Sequence, residues 1–426
     1  MLEIDNFSYS KKFFLFVFIS NIGNFFQMLY QIFGGKFLTP VDFATLASLN
    51  YIIAIVSLPL TIIQVGALRT LNIYKKEQKS KFNYYFRIFF KQNLFFGCIY
   101  IPLIVLILRE YFNLVFLQDW FITILVLTDL FLILFLITFN TLLQVIKKYN
   151  LISILGALQQ FIRLVFYILL YSFFNKSYIS GLIGNMVGFF FILVFLTVYF
   201  KKNLFGLNYQ NQLFLKKKRI IIFNNFNLST LLIIYVTIIN SFDVIIFSKL
   251  FEGNITGYYT GISVLSKIPM FITDLVITIL FSESVSNIIF KKSNRNLFYS
   301  TFLFSFFIYF FVLIFFYFFG ENILKIVFNK DYAVYHNELL ILGITFSIFS
   351  FCKIIVYILI SQKIWKFFPL ISLVFLILIY FLLNYSQDIS AFIHIILYAS
   401  IFNFFIVVFF FIKHLKNQNN LNFISK

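Results

Sequence analysis

Charge is the scarcest ingredient of this chain: Asp, Glu, Lys and Arg together make up 12% of its 426 residues. A soluble domain carries about a quarter, so an ordinary soluble globular protein is excluded. Cysteine is nearly absent. Cys98 and Cys352 both fall in apolar stretches and give neither a disulfide framework nor metal-ligand spacing. The three histidines, His336, His394 and His414, are scattered and form no ligand cluster. No GxxxxGK[ST] phosphate loop occurs. No secretory signal peptide is evident, because the stretch after MLEIDNFSYSKK stays apolar for over 20 residues without a small-residue cleavage site. Glycine (15), proline (5) and alanine are also sparse, while Phe (68), Tyr (26), Ile, Asn and Lys abound. These abundant residues have AT-rich codons, so the Phe excess reads as coding bias and not as an aromatic binding site.

What is present is apolar. Hydrophobic residues are 62% of the chain, arranged in runs of about 20, the length of a membrane-crossing helix. The alternation of an outer-membrane barrel is missing. The expected fold is all-α and integral to the membrane, with twelve spans near 13–34, 43–67, 88–108, 120–144, 151–173, 179–199, 221–243, 256–281, 299–320, 337–361, 367–386 and 390–412. Twenty-four of the 34 Lys and Arg fall on the side that holds both termini, against six on the other. By the positive-inside rule both termini are expected in the cytoplasm. The basic loops then need no nucleic-acid partner. The largest loop is the basic stretch at 200–220, FKKNLFGLNYQNQLFLKKKR. It separates an expected N-terminal six-helix lobe (1–199) from a C-terminal one (221–426).

An even number of spans per half makes the two halves a parallel internal repeat. At an offset of half the chain, KFLTPVDFATLASL (36–49) matches KLFEGNITGYYTGI (249–262), each a polar turn between apolar runs. The register continues into the following spans. Asn50, Ser57, Thr61 and Gln64 share one helical face, as do Tyr259, Ser263, Lys267 and Asp274. Asn50 matches Ser263 and Thr61 matches Asp274. Each of these spans is interrupted by a proline, Pro59 or Pro269, which frees a carbonyl and permits a bend. Span 1 adds Asn21, Asn24, Gln27 and Gln31.

Uncharged polar residues of this kind serve either as glue between helices or as a cavity lining. For Lys267 and Asp274 a wet cavity is the better reading, since burying a charge in a membrane is costly. Asp129, Arg163, Lys353 and Asp243 are further span charges, each with a structural ion pair as the alternative role. Gln159 lies one turn before Arg163 on its face. Arg69 and Glu283 sit at span ends, where snorkelling explains them.

The turn Leu38-Thr39-Pro40-Val41-Asp42-Phe43-Ala44, set between the first two of twelve spans in two halves, resembles that of the polysaccharide (O-antigen-type) flippases. These belong to the multidrug/oligosaccharidyl-lipid/polysaccharide exporter superfamily. Ala44 stands where that family usually has Gly, and the second copy, residues 251–259, retains Gly257-Tyr258-Tyr259. The resemblance implies a non-enzymatic translocator in the bacterial inner membrane. Its substrate would be an undecaprenyl-diphosphate-linked oligosaccharide, moved from the cytoplasmic to the periplasmic leaflet for surface polysaccharide assembly. It implies alternating access coupled to H+ or Na+, no cofactor and no metal, a monomer among membrane lipids, and a polysaccharide polymerase complex as partner. The candidate cargo residues are Arg163, Lys267, Lys353, Asn50, Gln64, Asn24, Ser263 and Tyr259, with the cations facing the diphosphate. Asp129 and Asp274 are the candidate coupling residues. A drug/cation antiporter of the same superfamily is the alternative, and it would want acidic cavity residues. A polymerase or glycosyltransferase would need convergent catalytic groups in a large external loop, which the chain lacks.

Overall fold

In a bilayer every backbone N–H and C=O must find its partner within the segment, and for this composition that means helices. The computed structural model describes residues 2–77, 79–110, 119–174, 177–205, 238, 241–273, 276–277, 280, 295–361 and 367–424, and among them no strand occurs. In chain order the helices are α1 (Leu2–Phe37), α2 (Pro40–Glu77), α3 (Lys79–Glu110), α4 (Trp120–Val145), α5 (Tyr149–Tyr171) and α6 (Ile179–Phe205). There follow α7 (Phe242–Leu250), α8 (Asn254–Ser266), α9 (Arg295–Val327), α10 (His336–Ser361), α11 (Phe368–Tyr385) and α12 (Ile389–Ile424). Nine helical stretches among the described residues are long and apolar enough to cross a membrane. The expected spans at 221–243 and 256–281, and most of the 200–220 linker, lie partly outside the described residues. Large apolar side chains stand exposed, among them Phe304, Phe306, Phe310, Phe311 and Phe315 on α9. Surface of that kind belongs in lipid. The chain is a multi-pass membrane protein.

Two compact units divide the chain. The first holds residues 1–38 and 45–230, the second residues 39–44 and 231–426.

In the first unit α5 packs between α1 and α6, and small residues set the spacing. A Cβ on Gly184 would lie 2.9 Å from the Arg163 carbonyl oxygen, and one on Gly188 2.9 Å from that of Gln159. Gly184 and Gly188 form a GxxxG pair, the pattern that lets membrane helices approach backbone to backbone. Gly23 does the same for α1 against Ala157 of α5, where its Cβ would come within 3.2 Å. Toward the other end of this unit, Phe86, Phe89, Phe139, Leu142 and Phe200 form a buried apolar cluster.

In the second unit α10 is largely buried and packs against α8, α9 and α12. Residues 39–44 belong here. The turn at 38–44 is a helix start built by its own chemistry. Thr39 caps α2, its Oγ1 accepting from the Asp42 backbone N–H at 3.2 Å and donating to Asp42 Oδ2 at 2.9 Å. Pro40 sits at the first helical position, where its missing N–H costs nothing. The matching turn starts α8 differently. Gly253 takes φ 75°, ψ −152°, a conformation essentially reserved for glycine. The two turns touch: a Cβ on Gly257 would lie 2.2 Å from the Pro40 carbonyl oxygen, so no larger residue fits there.

The two prolines have different outcomes. Pro59 is carried inside α2 without ending it. Near Pro269 the helix does break: α8 ends at Ser266 and Lys267 is its C-cap residue. Helical backbone resumes over residues 268–273.

Candidate functional site

The first unit gathers its polar side chains around Arg163, which α5 carries at the level where Gly184 clamps its backbone. Arg163 is buried, 7% exposed. Its Nη2 donates to Asn50 Oδ1 at 3.0 Å and its Nη1 to Gln160 Oε1 at 3.3 Å. The guanidinium carbon stands 3.6 Å from the centre of the Tyr30 ring, a cation–π contact of the kind a desolvated arginine favours. Tyr30 in turn packs on Tyr167, with ring centres 4.9 Å apart. Asn50 is held by donating Nδ2 to the Leu46 carbonyl at 2.9 Å. The expected neighbour Gln159 does not bind the guanidinium; Gln160 does, and its Nε2 donates to Gln159 Oε1 at 3.0 Å. No carboxylate forms an ion pair with Arg163 among the described residues, and its Nε is buried without a partner.

Asp129 lies on α4, fully buried, and accepts from Asn185 Nδ2 of α6 at 2.9 Å. Its second oxygen, Oδ1, and the Asn185 side-chain oxygen are both buried without a partner. Arg163 is the cation whose field reaches this carboxylate. Gln64 donates to Gln144 of α4 at 3.3 Å. Asn24 is exposed and stands outside this cluster.

The second unit holds a separate charged group. Lys267 Nζ lies 2.8 Å from Asp243 Oδ1, with both side chains buried. Asp243 Oδ2 accepts from Ser263 at 2.6 Å and from the Tyr259 hydroxyl at 3.2 Å. Lys267 also stands 5.2 Å from the centre of the Phe346 ring. Tyr259 is held by stacking on Phe247 at 4.0 Å. Three residues read from one face of the sequence, Tyr259, Ser263 and Lys267, therefore converge on one carboxylate. That carboxylate is Asp243 of α7. Asp274, the residue grouped with them in the sequence, lies outside the described residues. Lys353 is buried on α10.

Asp243 escaped as a cluster member because it lies 24 positions before Lys267, beyond any helical periodicity. Asn185 and Tyr30 are likewise on other helices, which no periodicity connects to Arg163, whereas Gln160, three residues before it on α5, was within reach of the i,i+3 spacing. A signal did exist for the α5–α6 clamp, in Gly184-Asn185-Met186-Val187-Gly188.

No family model matches this sequence, and no curated protein does. Solved structures do. An inward-facing multidrug resistance MATE family transporter of the MOP superfamily superposes with a TM-score of 0.71 at 9% identity, covering 96% of this chain and 99% of that one. The lipid II flippase MurJ in an inward closed conformation gives 0.64 at 13%, covering 93% and 87%. The Vibrio cholerae MATE transporter VcmN gives 0.62 at 12%, covering 96% and 98%. The chain has the MATE/MurJ fold. At these identities the likeness extends to the fold alone, which here is shared with transporters and a flippase.

Within this MATE/MurJ fold the two clusters differ chemically. Arg163 is a buried cation answered by amide oxygens and a ring face, so its charge is not cancelled by a bonded carboxylate. Lys267 is cancelled by Asp243, whose oxygens are already filled by three donors. The first arrangement suits an arriving anion. The second is closed as it stands and opens only if Asp243 lets go.

Proposed function

We propose that this chain flips an undecaprenyl-diphosphate-linked oligosaccharide from the cytoplasmic to the periplasmic leaflet by cation-coupled alternating access, for surface polysaccharide assembly. The observation that supports this best is Arg163: a buried guanidinium with no paired carboxylate among the described residues and an unused N–H. Such a group is expensive in a membrane and matches a diphosphate in geometry and charge. Asn50 and Gln160 hold the fork in place, and Tyr30 supports it from below. Lys267 enters as a conditional ligand. Its ammonium can reach cargo only by leaving Asp243. Lys353, Gln64, Asn24, Ser263 and Tyr259 complete the proposed set, with Asp129 and Asp274 as proposed coupling residues.

A second reading, a cation-coupled drug antiporter, has one observation in its favour. The unpartnered oxygens of Asp129 and Asn185 are two buried acceptors side by side, which suits a cation. Sidedness of the lipid-linked glycan separates the two. After deletion of the gene, inverted vesicles and spheroplasts are probed with an impermeant glycosidase. Cytoplasm-facing lipid-linked glycan, restored to the outer face by the wild-type chain but not by Arg163→Glu, supports the flippase. Normal outward glycan in the deletion strain, together with lost efflux of cationic dyes, supports the antiporter.

A further inference from the structure

The face of α4 that carries Asp129 continues through Ile133, Leu136 and Asn140, and the face of α6 that carries Asn185 continues through Phe189 and Ile192. With Gln159, Leu155 and Gly156 of α5 these residues line a cavity of about 290 Å³ inside the first unit. Its walls are apolar except for Asn140 and Gln159. An apolar cavity stays dry and takes apolar ligands; one of about half this volume binds benzene.

Two details point to a particular kind of occupant. Gln159 is 8% exposed. Its Oε1 is taken by Gln160, while its Nε2 has no partner. A buried amide N–H left this way is costly, and a dry cavity offers no water to satisfy it. Gly156 lines the same cavity yet is exposed, and a Cβ built there meets nothing within 4 Å. It marks an open side of the cavity that no helix among the described residues closes.

We propose that this cavity binds the apolar chain of an amphiphile entering past Gly156, with an oxygen at the polar end of that chain accepting from Gln159 Nε2. A bilayer glycerolipid, through its ester carbonyl, and a prenyl diphosphate, through its phosphate, share this chemistry.

The full-length chain in lipid nanodiscs is photolabelled with two probes, a phosphatidylglycerol bearing a diazirine on one acyl chain and a diazirine analogue of farnesyl diphosphate. Labelled peptides are located by mass spectrometry. The expected result is saturable labelling within residues 133–140, 152–159 and 189–192, competed by the unlabelled compound. Preference for the first probe names a bilayer lipid as occupant; preference for the second names a prenyl diphosphate. Gly156→Leu fills the open side without a clash and is expected to remove most of the labelling while circular dichroism and elution volume stay unchanged. Gln159→Leu is expected to weaken competition about three- to tenfold, the worth of one hydrogen bond. Labelling that does not saturate in the wild-type chain, or that persists undiminished in a folded Gly156→Leu protein, overturns the proposal. If Gly156→Leu does not fold, saturation and competition in the wild type decide. Transport plays no part in these readouts, so they stand whether or not the flippase reading does.

Discussion

Asp243 and Lys267 are the residues whose loss should be felt most unequally. Removing one member of a buried ion pair strands the other, at a cost of about 3–5 kcal/mol, whereas replacing both with apolar residues is often close to neutral. Asp243→Asn and Lys267→Met are each expected to lower the thermal midpoint of the purified protein sharply. The double variant Asp243→Leu/Lys267→Met should recover most of the loss. If the double variant were as unstable as the singles, the pair would not be acting as a pair. Gly253 makes a second residue-scale prediction. Its backbone angles are essentially glycine-only, so Gly253→Ala is expected to destabilise by about 1–3 kcal/mol although the site is open and its Cβ would touch nothing. A melting curve indistinguishable from wild type would refute the strain. The same positions show what a sequence can reveal at this scale. Tyr259, Ser263 and Lys267 lie on one helical face by spacing alone, and they do converge. What they converge on was hidden, because Asp243 belongs to another helix.

Helices α5 and α6 meet through glycine beside Arg163. The α5–α6 contact places Gly184 against the Arg163 backbone and Gly188 against Gln159, so the guanidinium inherits its position from α6. Gly184→Leu or Gly188→Leu forces a side chain into backbone, and overpacking of that kind costs about 1–3 kcal/mol or more. Either variant is expected to reduce the yield of monodisperse protein and, where some folds, to abolish the proposed glycan transport, as is expected of Arg163→Glu. Gly156→Leu on the same helix pair faces open space and should leave stability alone, which makes it the control. Equal damage from all three would show that bulk on α5 or α6, not backbone approach, is what the fold rejects. The prolines carry a similar lesson at the scale of an element. Pro59 and Pro269 each interrupt one of the paired spans, yet α2 runs through the first while helix α8 stops three residues before the second. Local sequence permits a break at a proline, and packing decides whether it is used.

For the whole molecule, the charge pattern makes a prediction that the helices by themselves do not. If both termini are cytoplasmic, as the positive-inside count predicts, Lys36 and Lys249 face outward and Lys147 faces inward. In a Cys98→Ser/Cys352→Ser background, Lys36→Cys and Lys249→Cys are expected to react with an impermeant maleimide in intact cells. Lys147→Cys should react only after permeabilisation. The opposite pattern would invert the topology and with it the direction assigned to transport. Apolar run length and composition were enough to determine a helical, multi-pass membrane protein, because a bilayer leaves the backbone no alternative. The polar turn at 38–44 was also legible, since a Thr-Pro-x-Asp helix start is satisfied by four consecutive residues. Tertiary structure alone decided how each charge is answered: Lys267 by the Asp243 carboxylate, Asp129 by the Asn185 amide, Arg163 by amides and a ring. Apart from Gln160, these partners lie tens of residues away on different elements. Their pairing is set by where backbones approach in three dimensions, and no periodicity along a single chain records that.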